Sequence, residues 1–272
     1  MQADLVFWKP LDEPLEPLDF TKPGTEEKFD ALERLNESRS VSVHDIRGQE
    51  SSFSLDRNGF QYVDHEVSGL KDRKSDDEIK ELLIPLTEEL VKNVTGAYKT
   101  ITFTSRVRSL AEDSSKRADN RAPAHSVHTD FTPAGALQQL TSILAKHPDA
   151  ETLKSSRIMV INVWRPLKEI KKDPLAVCDW ASVDTKDIVP NRMIFQAGFW
   201  NELGKLNWNG KQRWYTMEGQ TPAEPLLFKQ FDSKWVEEGG MTVPHSAFVD
   251  PEFVDEEARA SIEIKMFAFV DE

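Results

Sequence analysis

The second half of the chain restricts the fold more than any other feature. Short strand-like runs follow one another there, over 157–164, 175–178, 193–195, 212–216, 226–231 and 261–270, rich in β-branched and aromatic residues and separated by turn formers. Runs of that length with no helical pattern alternating between them point to sheets packed on sheets or closed on themselves, not to βαβ units. The first half adds two more candidate strands. Residues 41–46 alternate apolar and polar, and residues 100–105 are β-branched.

Turn and cap residues place the remaining elements. Asn58-Gly59 lies between 53–55 and 60–63 and predicts a hairpin, because both residues tolerate positive φ. Residues 76–95 read as a helix, with Ser75 and Glu78 spaced as a capping box and Gly96 as the stop. Pro85 is predicted to kink that helix or split it. Thr132-Pro133 opens a second helix over 133–146. Residues 9–27 hold four prolines and read as an extended arm wrapping the domain through Phe7, Trp8 and Phe20, followed by a short helix over 26–38. The expected fold class is mainly β with flanking helices. With no repeat or low-complexity boundary, residues 1–272 read as one domain whose first 40 form an extended and helical arm.

Charge and composition exclude several functions. Thirty-four basic against 47 acidic residues give a net charge of −13, so a duplex would meet an unfavourable field except at a local basic patch. No run approaches the ~20 apolar residues of a membrane span, and the N-terminus lacks the pattern of a signal peptide. The single cysteine, Cys178, forbids an intrachain disulfide and fits a reducing, cytoplasmic compartment. There is no G-x-G-x-x-G, no C-x-x-C and no serine nucleophile elbow. Arg106 to Arg121 form a long polar stretch, read either as a surface loop or as a lid or clamp for an anion.

The histidines carry the strongest chemical signal. His44, His65 and His147 read as surface or capping residues. His128 and Asp130, at i and i+2, project to the same face of a strand, whereas His125 would face the other way. With His245 downstream, they make up a 2-His-1-carboxylate set, which holds Fe(II) while leaving positions open for O2 and a bidentate co-substrate. Fourteen residues past His245, Arg259 offers a bidentate fork suited to a carboxylate of 2-oxoglutarate, and Ser261 would add a hydroxyl on the same face. The alternative for Arg259 is a surface pair with Glu256 or Glu257.

Five ordered stretches carry a family resemblance: Asn162-Val-Trp-Arg-Pro-Leu167, Asp173 to Asp179, Phe228 to Ser233, Pro244-His-Ser-Ala-Phe248 and Arg259-Ala-Ser-Ile-Glu263. Together they resemble the fungal hydroxylase/desaturase family, from about Val41 to Phe269. The resemblance implies a double-stranded β-helix, or jelly roll, with Fe(II), 2-oxoglutarate and O2. It implies His128, Asp130 and His245 as iron ligands, Arg259 and Ser261 as the co-substrate's R-x-S, and oxidation of a small secondary metabolite by hydroxylation, desaturation or cyclisation. A 2-oxoglutarate-independent iron oxidase and an inactive jelly-roll binding module are the rival readings. No nucleic-acid or membrane partner is expected, and a homodimer is one open assembly. Asn162 is a candidate site residue. Arg165 is expected to pair with an acid, and Lys229 is left between core and site. Trp164, Phe131 and Trp200 are candidate apolar walls, with core packing the favoured alternative for aromatics at strand period.

Overall fold

The computed structural model describes residues 1–108, 123–196, 198–237 and 241–271. The reading of 106–121 as a lid or clamp therefore falls outside the described residues beyond Arg108, which ends a strand.

Among the described residues, the strands form two sheets. The larger runs, from edge to edge, through β1 (Gln2–Trp8), β3 (Asn36–Asp45), β11 (Trp214–Thr216), β8 (Leu175–Cys178), β13 (His245–Ala247), β6 (His128–Thr129), β10 (Phe199–Leu206), β9 (Ile188–Gln196) and β2 (Leu18–Asp19). The smaller runs through β4 (Phe60–Tyr62), β12 (Leu226–Asp232), β7 (Arg157–Pro166), β14 (Ser261–Val270) and β5 (Lys99–Arg108). Four helices flank them: α1 (Thr25–Glu33), α2 (Asp76–Thr95), α3 (Pro133–Leu144) and α4 (Ala150–Lys154). The mainly β architecture expected from the strand runs is present, as two sheets of the kind that the jelly roll implied by the family resemblance calls for. None of the described helices is long and apolar enough to cross a membrane.

The period of two in β7 and β14 explains why both read as nearly continuous apolar runs. Met159, Ile161 and Val163 of β7, with Ile262, Ile264 and Met266 of β14, pack outward against Leu83, Leu90 and Val91 of α2. The intervening residues turn inward, where Trp164 meets Leu175, Val177 and Phe228 from facing strands. A sheet covered on both faces shows no polar alternation. The inward positions of β14 that are polar, Ser261, Glu263 and Lys265, therefore stand out against an apolar background.

α2 keeps the predicted cap, with the Glu78 N–H donating to Ser75 Oγ at 3.2 Å and Gly96 ending the helix at φ 73°. Pro85 does not split it; one helix runs from Asp76 to Thr95. Leu83 on one side of the proline and Leu90 and Val91 on the other are buried against the same sheet, which holds the two halves in line.

Three local expectations are corrected. Residues 53–55 form no strand: Asn58 N–H bonds back to Ser54 O, and β4 pairs with β12 instead. Gly59 does take the positive φ, 80°, that the turn required. Phe53 instead stacks on Phe60 at 5.2 Å, and Leu55 joins the cluster that the small sheet makes with α2. The helix expected over 26–38 ends at Glu33, because residues from Asn36 onward pair with Trp8 and its predecessors in β1. Phe7 and Trp8 are thus strand residues rather than anchors of an arm, while Phe20 does stack on Phe195 at 5.5 Å.

Lys229, left open by the sequence, is structural. Its ammonium is fully buried and lies 2.6 Å from Asp232 and 3.0 Å from Asp56, with Arg157 also 2.6 Å from Asp232. Lys229→Met leaves the buried Asp232 to Arg157 alone and removes charge-assisted hydrogen bonds, so it is expected to lower unfolding free energy by about 2 kcal/mol. Equilibrium denaturation in urea checks this; an unchanged midpoint would contradict it.

Candidate metal centre

β13 pairs with β6 at a single position, and that position sets His245 opposite His128. The cross-strand pairing brings the two rings to 4.4 Å between centroids. Asp130 follows β6 by one residue and turns to the same side. Its Oδ1 is 3.9 Å from His128 Nε2 and its Oδ2 is 3.7 Å from His245 Nε2. One ligand atom from each of the three side chains lies within 4.8 Å of the others.

The backbone fixes which imidazole nitrogen is offered. His128 Nδ1 lies 2.8 Å from Ser126 O and His245 Nδ1 lies 3.1 Å from Val243 O. A carbonyl only accepts, so each Nδ1 carries the proton and each Nε2 presents its lone pair to the cluster. Burial, reinforced by the neighbouring His245, pushes His128 down to about 3, which keeps it neutral. Burial on its own would raise the Asp130 carboxyl. The Lys265 ammonium, 2.6 Å from Oδ1, outweighs it and holds Asp130 well below the usual carboxylate range. The donor set is therefore two neutral nitrogens and one carboxylate, suited to a divalent transition metal.

Arg259 lies across a small cavity from this cluster. It is 4% exposed, its guanidinium sits 5.3 Å from the centroid of the Trp164 ring, and one Nη donates to the Asp173 carbonyl. Asp173 reaches that orientation at φ 52°, the one positive φ outside glycine among the described residues. The surface-pair alternative for Arg259 is excluded, because Glu256 pairs with Lys171 and Glu257 with Lys168. Burial, with Arg108 nearby, pushes the guanidinium down to about 10. Arg259 Nε and Ser261 Oγ are both buried and without a hydrogen-bond partner. Two unsatisfied donors this close in sequence are costly unless an acceptor enters, and a carboxylate is a suitable one. The cavity, about 20 Å³, is lined by His128, His245, Arg259, Trp164 and Glu263 among others. A larger cavity of about 480 Å³ lies elsewhere, between Phe248, Phe253 and Ile170, and has no such donor set.

The remaining histidines stay out of the cluster. His125 is partly exposed and 3.5 Å from Asp173. His44 packs on Tyr215, and His147 accepts the Asp149 N–H. Cys178 is a core residue, its thiol pushed up to about 12 by burial.

Residues 5–269 match the family described as an oxidoreductase/YMDC permease-like domain. The hydroxylase/desaturase efuI of Hormonema carpetanum is 34% identical over 256 residues, covering 85% of this chain and 84% of that protein. The hydroxylase/desaturase CTB9 of Cercospora beticola is 32% identical over 266 residues, covering 88% and 78%. This chain belongs to the fungal hydroxylase/desaturase family. The solved structure of the iron and alpha-ketoglutarate-dependent endoperoxidase NvfI superposes with a TM-score of 0.82 at 28% identity, covering 100% of this chain and 98% of that one. The nvfI sequence of Aspergillus novofumigatus is 31% identical over 237 residues, or 84% of this chain and 82% of the relative.

Asn162, a candidate site residue by sequence, proves to be one of the groups that hold Asp130, whereas the sequence reading tied neither Lys265 nor Gln230 to that carboxylate. Lys265 Nζ is 2.6 Å from Oδ1, the Asn162 amide donates to Oδ2, and Gln230 Oε1 accepts the Asp130 N–H at 2.6 Å. Asn162 also donates to Glu263 Oε1 at 3.2 Å. Strand alternation was the available signal: Glu263 and Lys265 share the inward face of β14 with Ser261, and Asn162 is an isolated polar residue in β7.

Other expectations are corrected. Arg165 pairs with no acid. It points to the outer face and donates to the carbonyls of His65 and Pro222 at 2.8 and 2.6 Å. Trp200 stacks under Arg192 at 4.0 Å and Phe131 packs on Phe103, so of the three candidate walls only Trp164 lines the cavity. Asn162→Leu removes the donor from Asp130 Oδ2 and Glu263 Oε1 together, and is expected to destabilise the protein by about 2 kcal/mol. Thermal and urea unfolding of the metal-free protein read this out; wild-type stability would show that neither carboxylate relies on the amide.

Proposed function

We propose that this protein is an Fe(II)/2-oxoglutarate-dependent oxygenase that oxidises a C–H bond of a small secondary metabolite, with His128, Asp130 and His245 as iron ligands. One observation carries the reading: two Nε2 lone pairs and one carboxylate converge within 4.8 Å, facing a buried arginine and serine that lack acceptors. The names of the relatives support the class. Alpha-ketoglutarate-dependent dioxygenase tstK of Talaromyces stipitatus and Fe(II)/2-oxoglutarate-dependent dioxygenase nvfI are both homologous over most of the chain.

The residues divide the work by chemistry. His128, Asp130 and His245 supply three ligands and leave the rest of the coordination sphere free. The Ser126 and Val243 carbonyls fix the imidazole tautomers. Arg259 and Ser261 would bind the far carboxylate of 2-oxoglutarate, Arg259 being held by the Trp164 face and the Asp173 carbonyl. Because the cavity is only about 20 Å³, a co-substrate of that size must part the side chains that line it. Bound iron would supply the oxidising power, with 2-oxoglutarate oxidised by O2 to succinate and CO2, one oxygen atom of O2 entering succinate and the other serving substrate oxidation. Phe228, edge-on to His245 at 4.8 Å, and Trp164 exclude water from that chemistry.

The metal-loaded protein is expected to release succinate from 2-oxoglutarate under air, and His245→Ala to release none and to lose Fe(II) binding. Arg259→Met is expected to raise the KM for 2-oxoglutarate by about tenfold or more while Fe(II) binding stays within about twofold, since it removes a charge-assisted carboxylate contact and no metal ligand. Turnover of the metabolite without succinate would sink the 2-oxoglutarate assignment.

A further inference from the structure

Asp130, Lys265, Glu263 and Asn162 close a ring. The Lys265 ammonium lies 2.6 Å from Asp130 Oδ1 and 3.4 Å from Glu263 Oε2, while the Asn162 amide donates to the other oxygens of the same two carboxylates. Asn162 and Glu263 are buried, 0% and 5% exposed, and Lys265 is nearly so. Two carboxylates thus share the Lys265 ammonium inside the protein, Glu263 also lining the cavity with Arg259. The cation rests on the carboxylate that belongs to the metal cluster, with the second carboxylate less than an ångström further away than a close ion pair.

We propose that Lys265 is a movable counter-ion for the metal site. Without metal it neutralises Asp130; on metal entry it transfers to Glu263. The inference rests on the reading of His128, Asp130 and His245 as metal ligands. The argument is electrostatic. A buried carboxylate with no cation is strongly destabilising, so the empty site needs Lys265 on Asp130. A divalent ion on the same carboxylate supplies that neutralisation and repels an ammonium a few ångströms away. Glu263 already stands at the far side of the ammonium, fixed by Asn162, and accepts it without carrying a charge across the interior. Lys265 stays protonated throughout, and no bond is made or broken. Lys265 and Glu263 are positioning residues: the first competes with the metal for Asp130, and the second relieves that competition.

The two roles predict opposite signs, which a merely supporting lysine would not give. The probe is Co(II), titrated anaerobically into the metal-free full-length protein, with thermal unfolding recorded before and after. Lys265→Met is expected to melt several degrees below wild type when metal-free, to regain that loss on saturation with Co(II), and to bind Co(II) about tenfold more tightly. Glu263→Gln is expected to weaken Co(II) binding about tenfold, because the displaced ammonium has lost its acceptor. Co(II) binding by Lys265→Met that equals wild type or is weaker would overturn the counter-ion role. If Lys265→Met does not fold without metal, Glu263→Gln decides alone, and unchanged or tighter Co(II) binding there overturns the proposal. A wild-type protein that binds no Co(II) would instead overturn the metal-site reading.

Discussion

The buried carboxylate of Asp130 is the constraint around which the centre of this protein is arranged. An ionised carboxylate placed between two sheets needs compensation from several directions at once. Lys265 from β14 and the amide of Asn162 from β7 supply it on the small sheet, and the imidazoles of His128 and His245 face it from the large one. Each sheet therefore contributes what the other lacks. Asn162 of β7 and Glu263 and Lys265 of β14 interrupt otherwise apolar inward faces where the carboxylate has to be met.

The same economy governs Arg259. Among the described residues the guanidinium, at 4% exposure, makes no close ion pair; it is held by an aromatic face, one carbonyl and a backbone turn at Asp173. That support uses only part of its donor set and leaves Nε and the neighbouring Ser261 hydroxyl unsatisfied. Arg165 also leaves its Nε without a partner, but two carbonyls and the His65 ring take up its guanidinium ends, and it faces away from the cavity. Lys229 differs again, its charge fully neutralised by Asp56 and Asp232. Of these buried cations, only Arg259 combines unsatisfied donors with a place on the cavity that His128 and His245 share.

Much of this was legible in the residues. The β-branched runs mark the strands of the small sheet because its strands are long and covered on both faces, giving a dense apolar signal. His128 and Asp130 at i and i+2 gave a common direction that the structure keeps. What escaped notice was short or paired at a distance. β6 and β13 have only two and three residues, too few for any period to register, although they carry both histidines. The Asn58-Gly59 turn was real, but its expected partner strand was not, because pairing with β12 and packing on Phe60 outweighed the local hairpin. Pro85 broke nothing, since burial on either side of it held the helix together.

The sequence by itself determined the class of fold and the kinds of ligand on offer, because strand period, turn chemistry and the donor atoms of histidine and aspartate are local properties. Only the tertiary structure decided which groups meet. The single-residue pairing of β13 with β6 sets His245 opposite His128 across more than a hundred residues of chain, and the register of β14 against β7 sets Lys265 opposite Asn162, within reach of Asp130. Those contacts depend on how two sheets face each other, and no spacing along the chain encodes that.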